Sequence, residues 1–269
     1  GFADVLPYFR RAEMRIGEGD DTFRGRDGPL AVTDIDWSHP LTEAFIEGAQ
    51  TIGIPRNPDY NGERQEGITY SQRTILNGRR MSTARAYLHP ARKRPNLRVI
   101  TKAHSTGLVL DGKRVTGVRY AKGGPGGKAM EVRANKEVIL SGGVINSPQL
   151  LQLSGIGAAD VLQPLGIEVR HALGGVGENL RDHYAPRFTA RVKNIDSINQ
   201  RVRGLRLAGE VAKWVFTRKG ILSLSPTLVY CFWRSTPEIA NSDLQLTFTP
   251  ASYKEGVQNQ LDDFPGMTI

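Results

Sequence analysis

Asp182 and His183 form the adjacent pair best suited to acid–base chemistry in this 269-residue chain. A carboxylate beside an imidazole changes the proton affinity of the ring, which suits a group that accepts or donates a proton. A histidine held by structural hydrogen bonds is an equally good interpretation of His183. The five histidines show no metal-ligand spacing, and the single cysteine, Cys231, excludes an internal disulfide and a cysteine-based metal cage, so no metal site is expected.

The segment 137–157 contains a second candidate for ligand binding. Its apolar run 138–140 has no alternation, which predicts a strand buried on both faces of a mostly parallel sheet. Ser141 and Gly142 follow that strand, and glycine there lets the backbone turn sharply and approach a ligand. Because ligands of open α/β sheets lie at the carboxyl ends of the strands, Ser141 and Gly142 are candidate binding residues.

A helix is predicted directly after this turn. Ser147 can supply an N-cap hydroxyl, and Pro148 suits the first position of a helix because its missing N–H needs no partner there. The helix is expected to end at Ser154 and Gly155. An ordinary strand, turn and helix of core structure would show the same pattern, so the pattern alone does not establish a binding site.

Residues 143–157, GVINSPQLLQLSGIG, resemble the second signature of the glucose–methanol–choline (GMC) oxidoreductases, a family of flavoproteins. Further segments match that family in the same order. They are LPYFRRAE (6–13), NG (61–62), GRRMSTARAYL (78–88), PNLRV (95–99) and GVGENLRDH (175–183). The resemblance implies an α/β FAD-binding portion interleaved with an α+β substrate domain of antiparallel sheet and helices.

The resemblance also implies how the chain is divided. A helix and loop over 1–29 would be attached to the FAD-binding domain, and 30–95 would form the first segment of the substrate domain. The middle portion of the FAD-binding domain would follow over 96–183. Residues 184–269 would form the second segment of the substrate domain.

The activity implied by the resemblance is oxidation of a small primary alcohol to an aldehyde, with FAD as cofactor and an electron acceptor that the sequence does not indicate. A base removes the hydroxyl proton while a hydride passes from the alcohol carbon to flavin N5. The sequence lacks the family's Gly-rich pyrophosphate loop and its C-terminal His. We therefore expect a central portion of a longer enzyme, inactive alone, with the catalytic base beyond Ile269.

The same resemblance suggests which residues lie near FAD. Ser105 falls where family members contact the adenine through the backbone, although plain hairpin structure also explains it. Ser141 and Gly142 would lie near the adenosine part of FAD. Asp182 and His183 would lie toward the flavin, and no catalytic residue is assigned within the chain.

Two features of the sequence bear on the identity of the substrate: the residue at position 185 and the alternating pattern of the predicted strand 244–249. Choline-oxidising relatives carry a carboxylate two residues after the Asp-His pair, where it faces the quaternary ammonium, and this chain has Ala185 there. The predicted strand 244–249 alternates, so Gln245 and Thr247 share an uncharged face that can line a pocket, while Phe248 and two leucines face the core. We therefore expect a neutral primary alcohol rather than choline.

Composition limits the other classes of function. With 39% hydrophobic and 23% charged residues, the chain is typical of a folded globular protein, and no apolar run approaches the ~20 residues of a membrane-spanning helix. The net charge of +9 comes from basic clusters without interleaved aromatic residues, which indicates solvated helix faces rather than a nucleic-acid surface. A cytoplasmic location is the default expectation. The alternatives are a non-redox flavoprotein, such as a hydroxynitrile lyase, and an inactive fragment that binds polyanions.

Periodicity predicts the elements that must position these residues. The predicted helices cover 2–15, 41–52 and 205–218, with another that begins near Arg80 and ends before Pro90. The predicted strands cover 30–32, 228–233 and 244–249, with hairpins between 97 and 140 that turn at 111–112 and 123–127.

Overall fold

The computed structural model describes residues 1–256 and 260–269. The chain divides into two compact units, of which the first contains Gly1–Arg94 and Pro186–Ile269 and the second contains Pro95–Ala185. Residues 1–29, predicted to be attached to the FAD-binding domain, belong to the first unit in this division. The assignment of FAD binding and substrate binding to separate parts of the chain stays a prediction.

Short helices and strands alternate along the chain. The helices are α1 (Phe2–Ala12), α2 (Pro40–Thr51), α3 (His89–Ala91), α4 (Gly143–Leu153), α5 (Ala159–Leu162), α6 (Ile198–Arg201) and α7 (Gly204–Thr217). The strands are β1 (Glu13–Ile16), β2 (Leu30–Thr33), β3 (Gly67–Tyr70), β4 (Ile75–Leu76), β5 (Arg79–Arg80), β6 (Ala103–Asp111), β7 (Arg114–Lys122), β8 (Lys128–Arg133), β9 (Ile156–Gly157), β10 (His171–Ala172), β11 (Thr189–Arg191), β12 (Val229–Trp233), β13 (Leu244–Phe248) and β14 (Gly266–Thr268).

The core of the first unit lies between α2 and an antiparallel sheet. The strand order of this sheet is β13-β12-β3. Ile46 of α2 is buried against Ile68 and Val229 of the sheet, and the ring of Phe45 stacks on Phe248 with 4.5 Å between centroids. This apolar contact fixes one face of the sheet against the helix and leaves its other face for different contacts.

Buried ion pairs hold the start of the first unit. β1 and β2 form a parallel pair, and the neighbouring Arg24 is only 2% exposed. Its guanidinium donates to the carboxylates of Glu13 at 2.7 Å and Asp59 at 3.0 Å. These carboxylates compensate a buried charge that would otherwise be costly.

Several element boundaries in the first unit differ from the sequence predictions. α1 ends at Ala12 rather than at residue 15, because the next residues pair with β2 as a strand. The helix predicted to end before Pro90 continues through it: a π-helical turn at Ala84–Leu88 leads into α3, where Pro90 occupies the first turn and needs no N–H partner. The predicted strand 30–32 and helix 41–52 are confirmed as β2 and α2.

The second unit is built on the antiparallel sheet β6-β7-β8, with α4 packed against β6. Its hairpin turns lie between Asp111 and Arg114 and between Lys122 and Lys128, as predicted. Leu108, Ile156 and Val176 form the buried core of this unit, to which α4 contributes leucine side chains.

The predicted buried strand 138–140 is wrong. This segment has no strand geometry, and Ile139 is 77% exposed, although Val138 and Leu140 pack against the core of the second unit. A strand requires a neighbouring backbone that completes its hydrogen bonds, and among the described residues none pairs with this segment. The apolar run is therefore a loop that packs two of its side chains on the core.

The predicted start of the following helix is also wrong. α4 begins at Gly143, before Ser147, and Pro148 lies inside it, where proline removes one intrahelical hydrogen bond. The Ser147 hydroxyl does not cap the helix, because its Oγ accepts the backbone N–H of Gly142 at 2.9 Å. Gly143 has φ +86, a left-handed conformation that favours glycine and allows the loop to turn into the helix. The predicted end at Ser154 is confirmed.

The last part of the first unit follows the predicted order of a helix and two strands. α7, β12 and β13 lie within one residue of the predicted ranges 205–218, 228–233 and 244–249. Within the described residues, no helix has both the length and the apolar character needed to cross a lipid bilayer.

Candidate functional site

Three of the predicted cofactor-binding residues line one cleft of the second unit. Ser105 lies near the start of β6, and Ser141 and Gly142 lie in the loop before α4. The cleft has a volume of about 380 Å³. This volume is in the range of pockets that hold small ligands. The structure thus brings together residues that are up to 37 positions apart in the sequence, consistent with the resemblance-based prediction.

Two local features shape this cleft. The register between β6 and β7 shifts between Ser105 and Gly107, which marks an irregularity near the start of β6, beside the cleft. On the opposite side, the hydrogen bond from Gly142 to Ser147 fixes the loop to the first turns of α4. A Cβ on Gly142 would lie 3.2 Å from the Cβ of Asn146, so a larger residue would crowd this wall.

The base of the cleft is supported from the core. The hydroxyl of Ser154, at the end of α4, accepts the backbone N–H of Leu108 at 2.8 Å and donates to the carbonyl of Leu150 at 2.6 Å. This serine therefore joins the end of the helix to the middle of β6. The two walls are thus held by hydrogen bonds between the serine hydroxyls of α4 and backbone atoms of the neighbouring segments.

The chemistry of the cleft fits the adenosine part of FAD. Val138, Leu140 and Leu150 supply apolar surface, while His104 and Ser105 supply polar atoms at the start of β6. A purine has apolar ring faces and a polar edge, so it matches such a mixed wall.

Asp182 and His183 do not belong to this cleft. Their side chains are 94% and 92% exposed, with 3.8 Å between the carboxylate and the ring Nδ1. The preceding residues 175–181 line a second cleft of the same unit, of about 630 Å³, together with residues of α4. The pair therefore follows a different ligand-sized surface from the one that contains Ser105, and its role near the flavin stays a prediction.

The predicted substrate residues Gln245 and Thr247 lie on the sheet face opposite α2. Gln245 is directly opposite Phe232 on β12, and Thr247 is opposite Tyr230. Directly opposed residues of antiparallel strands share a face, so aromatic rings and uncharged polar groups lie side by side. Ala185 lies at the end of the second unit and is exposed.

The predicted core face of β13 is only partly correct. Phe248 is 1% exposed, whereas Leu244 and Leu246 are 42% and 36% exposed. The cluster around α2 includes Phe248 but neither leucine, because it covers only one end of the strand. Alternation correctly predicted which residues share a face, but it could not predict how far the helix reaches along that face.

An aromatic cluster on this sheet face was missed by the sequence analysis. The ring of Tyr60 packs against Tyr230 and Phe232, with centroids at 5.7 and 5.5 Å. Burial raises the pKa of Tyr60 to about 12, and its hydroxyl oxygen accepts the backbone N–H of Gln72 at 2.8 Å. The phenol is therefore neutral at physiological pH. The sequence predicted the strand over 228–233, but it gave no signal that the loop residue Tyr60 packs beside it.

No group of acidic, histidine or cysteine side chains suited to a metal ion occurs in the described ranges 1–256 and 260–269. Cys231 is buried on the core face, where burial raises the pKa of its thiol to about 11. A buried neutral thiol is a structural residue rather than a nucleophile.

Comparison with known proteins extends these observations. An oxygen-dependent choline dehydrogenase from Staphylococcus saprophyticus is 42% identical over 94% of this chain, and the matched part is 45% of that protein. The structure of formate oxidase from Aspergillus oryzae matches 98% of this chain and 51% of its own length, with TM-score 0.83 and 21% identity. Pyridoxine 4-oxidase from Mesorbium loti matches 100% and 49%, with TM-score 0.77 and 24% identity.

The matches to solved structures show the fold alone, and the chain spans about half the length of the curated relatives that it matches. The matches to solved structures confirm the predicted fold of mixed helices and sheets. The family model described as GMC oxidoreductase matches residues 1–185, which is more than half of the sequence. The predicted family is thereby confirmed, and the chain belongs to the GMC oxidoreductases.

Proposed function

We propose that the complete protein oxidises a primary alcohol to an aldehyde with FAD as cofactor. The observation that carries this proposal is the cleft of the second unit, where Ser105, Ser141 and Gly142 meet beside the start of α4. Family membership supplies the reaction class, and the cleft supplies a suitable place for the adenosine part of the cofactor. Bound FAD supplies the hydride acceptor for alcohol oxidation.

In this proposal the residues of the chain hold and orient ligands. The backbone at Ser105 and the turn at Ser141 and Gly142 hold the adenosine, and the Gly142–Ser147 hydrogen bond keeps that turn in place. Asp182 and His183 contribute a charge and a proton-binding ring on the flavin side. Their high exposure in the chain leaves both groups available for contacts.

The substrate contacts the sheet face that contains Gln245 and Thr247. These groups offer hydrogen bonds to a hydroxyl, and the neighbouring rings of Tyr230 and Phe232 offer apolar contact. Arg234, directly after β12, and Glu66, directly before β3, bind each other at 3.1 Å and so neutralise one another. A neutral alcohol with an apolar body matches these surroundings better than a fixed cation does.

Choline is the second candidate substrate, because the relative with 42% identity is named an oxygen-dependent choline dehydrogenase. Ala185 weighs against it, since alanine cannot neutralise a quaternary ammonium group. An aromatic surface can partly replace a carboxylate by cation–π attraction, which keeps this candidate open to test. The names of the matched relatives favour redox chemistry over the lyase alternative.

The test is aldehyde formation by the complete gene product. The protein, loaded with FAD, is supplied with short primary alcohols, benzyl alcohol, choline or a hydroxynitrile, and with a dye as electron acceptor. The proposal predicts one aldehyde formed for each two-electron equivalent of dye reduced, with the neutral alcohols preferred. Hydroxynitrile cleavage without dye reduction, or no aldehyde from any alcohol, would contradict it.

A further inference from the structure

The first unit contains a cleft of about 600 Å³ between α1, β2 and the segments 60–65 and 72–74. This volume lies within the range of pockets that hold small organic ligands. Phe2, Leu6 and Phe9 are four and three residues apart, so they share one face of the helix and form the α1 wall of the cleft. This space is termed the α1 cleft.

The apolar wall of the α1 cleft is open rather than packed. Phe2 and Phe9 are 65% and 68% exposed, although they lie on the apolar side of their helix. Leu30 and Val32 of β2 add apolar surface to the cleft, and the ring of Phe23 lies 6.5 Å from that of Phe2. An apolar ligand that enters the cleft therefore removes a large hydrophobic surface from water.

The buried charges beside this wall are already neutralised. Arg24 and Glu13, which both line the cleft, bind each other at 2.7 Å. Arg73, which is 8% exposed, donates to the carboxylate of Asp36 at 2.6 Å. Glu63 also lines the cleft, but it is exposed and stays hydrated. Among the described lining residues, the buried charges are thus paired within the protein, so the cleft favours a neutral ligand.

Uncharged polar groups complete the lining. Asn61, Gln65 and Gln72 contribute amide groups, and the Tyr60 hydroxyl accepts the backbone N–H of Gln72. Because burial keeps this phenol neutral, it can also donate a hydrogen bond to a ligand oxygen. A mostly apolar wall with a limited number of placed polar groups is typical of a small-molecule site.

Tyr60 joins the α1 cleft to the sheet face that is proposed to hold the substrate. It lines the cleft, and its ring packs against Tyr230 and Phe232 with centroids at 5.7 and 5.5 Å. Those two residues lie opposite Thr247 and Gln245 on β13. The same aromatic side chain therefore borders both surfaces.

We infer that the α1 cleft receives the apolar body of the alcohol substrate, an inference that rests on the function proposed above. The substrate class is then a neutral primary alcohol with an aryl-alkyl body. Its hydroxyl end contacts Gln245 and Thr247, and its aryl end extends past Tyr60 to the rings of Phe2 and Phe9, where aromatic contacts are favourable. Compact alcohols such as 1-propanol and choline leave the cleft unfilled and gain none of this contact.

Calorimetry with 3-phenylpropyl methyl ether tests the inference on the complete, FAD-loaded gene product. This ether has the proposed aryl-alkyl body but no hydroxyl to oxidise, so its binding is measured apart from turnover. Phe9→Ala should weaken ether binding roughly tenfold, because it removes a ring from the cleft wall. Tyr8→Ala is the matched control and should leave ether binding unchanged. Tyr8 is 62% exposed on the same helix but points about 100° away from Phe9, outside the cleft lining.

Turnover gives a second readout. We expect kcat/KM to be higher for 3-phenylpropanol than for 1-propanol, since only the longer alcohol reaches the cleft. Phe9→Ala should remove most of this preference, and Tyr8→Ala should keep it. Equal effects of the two variants on ether binding and on this preference would overturn the inference.

A thiol reagent reports whether the cleft is open in the complete protein. It should label a Phe9→Cys variant, the ether should slow that labelling, and the buried Cys231 should stay unlabelled. A position 9 that is not labelled without the ether, or is labelled equally fast with it, would overturn the inference. Oxidation of short alcohols without ether binding would refute the inference alone. Ether binding that depends on Phe9, without oxidation of any alcohol, would refute the proposed function and uphold the cleft as an aromatic binding site.

Discussion

The Oγ of Ser147 accepts the backbone N–H of Gly142 at 2.9 Å, and both residues line the cleft that also contains Ser105. This bond replaces the N-cap role that the sequence pattern predicts for Ser147. It ties the turn after 138–140 to the first turns of α4. The account of cofactor binding therefore depends on a hydroxyl that holds a loop rather than one that touches a ligand.

Ser147→Ala should weaken FAD binding by the complete protein about fivefold, because a hydrogen bond worth about 1 kcal/mol no longer orders the Gly142 turn. Ser147→Thr keeps the hydroxyl and should bind FAD nearly as the unaltered protein does. Titration of the FAD-free protein, followed by quenching of flavin fluorescence, gives both affinities. Equal FAD affinity in the alanine and threonine variants would show that the hydrogen bond between Ser147 and Gly142 does not contribute to FAD binding.

Ala185→Glu should shift specificity toward choline, since a carboxylate at this position can neutralise the quaternary ammonium. We expect the ratio of kcat/KM for choline to that for a neutral alcohol to rise roughly tenfold, as for one added charge contact of about 1.4 kcal/mol. Ala185→Gln is the control of similar size. If glutamate and glutamine had the same effect, charge at this position would not determine substrate choice.

Arg24→Met should reduce the free energy of unfolding by about 3–5 kcal/mol, because it leaves the carboxylates of Glu13 and Asp59 without their buried partner. Urea unfolding followed by tryptophan fluorescence measures the change. Arg119→Met is the control, since Arg119 is 62% exposed and forms a surface pair with Glu131, so it should cost about 1 kcal/mol or less. Equal losses in the two variants would contradict the role given to burial.

Stability should fall as the pH is lowered below the ordinary histidine pKa of 6.5, in part because of His39. Its Nδ1 accepts the backbone N–H of Leu41 at the start of α2, and its Nε2 lies 3.0 Å from the carbonyl of Asp196. Burial lowers the pKa of His39, helped by Arg201, although the contacts with Asp196 raise it. The folded protein therefore disfavours the proton that the unfolded chain binds, so this contribution is complete above about pH 6.5 and is lost below it.

His39→Asn tests this assignment, because asparagine also caps helices but does not titrate. Urea midpoints measured at about pH 8 and pH 5.5 should differ less in this variant than in the unaltered protein. An unchanged difference would assign the pH dependence to other groups.

Sequence patterns correctly predicted the helices, turns and strands that depend on residues close together in the chain. The apolar face of α2, the hairpin turns of the second unit and the alternation of β13 all depend on residues close together in the chain, and each lies within a few residues of its predicted place. The predicted strand over 138–140 was wrong because a strand needs a neighbouring strand to pair with. The apolar residue types do not show whether such a partner is present. The predicted start of α4 was wrong because the Ser147 hydroxyl can accept a hydrogen bond either from a following helical N–H or from a preceding backbone N–H. Only the folded turn shows that it accepts from Gly142.

The candidate site was predicted in part. The resemblance indicated Ser105, Ser141 and Gly142, and the structure places them around one cleft. Tyr60 gave no signal, since its loop brings it to Tyr230 only through the tertiary fold. Phe216 of α7 is 85% exposed, and the sequence could not predict this, because periodicity finds the apolar face of a helix but not the direction in which that face points.

The visible spectrum of the complete gene product, taken under anaerobic conditions before and after addition of a neutral primary alcohol, tests the central claim most directly. The account predicts a yellow protein whose flavin band bleaches with the alcohol, and bleaches more slowly with choline. A protein that takes up no FAD, or one whose bound flavin no alcohol reduces, would contradict the claim that this chain is part of an FAD-dependent alcohol-oxidising enzyme.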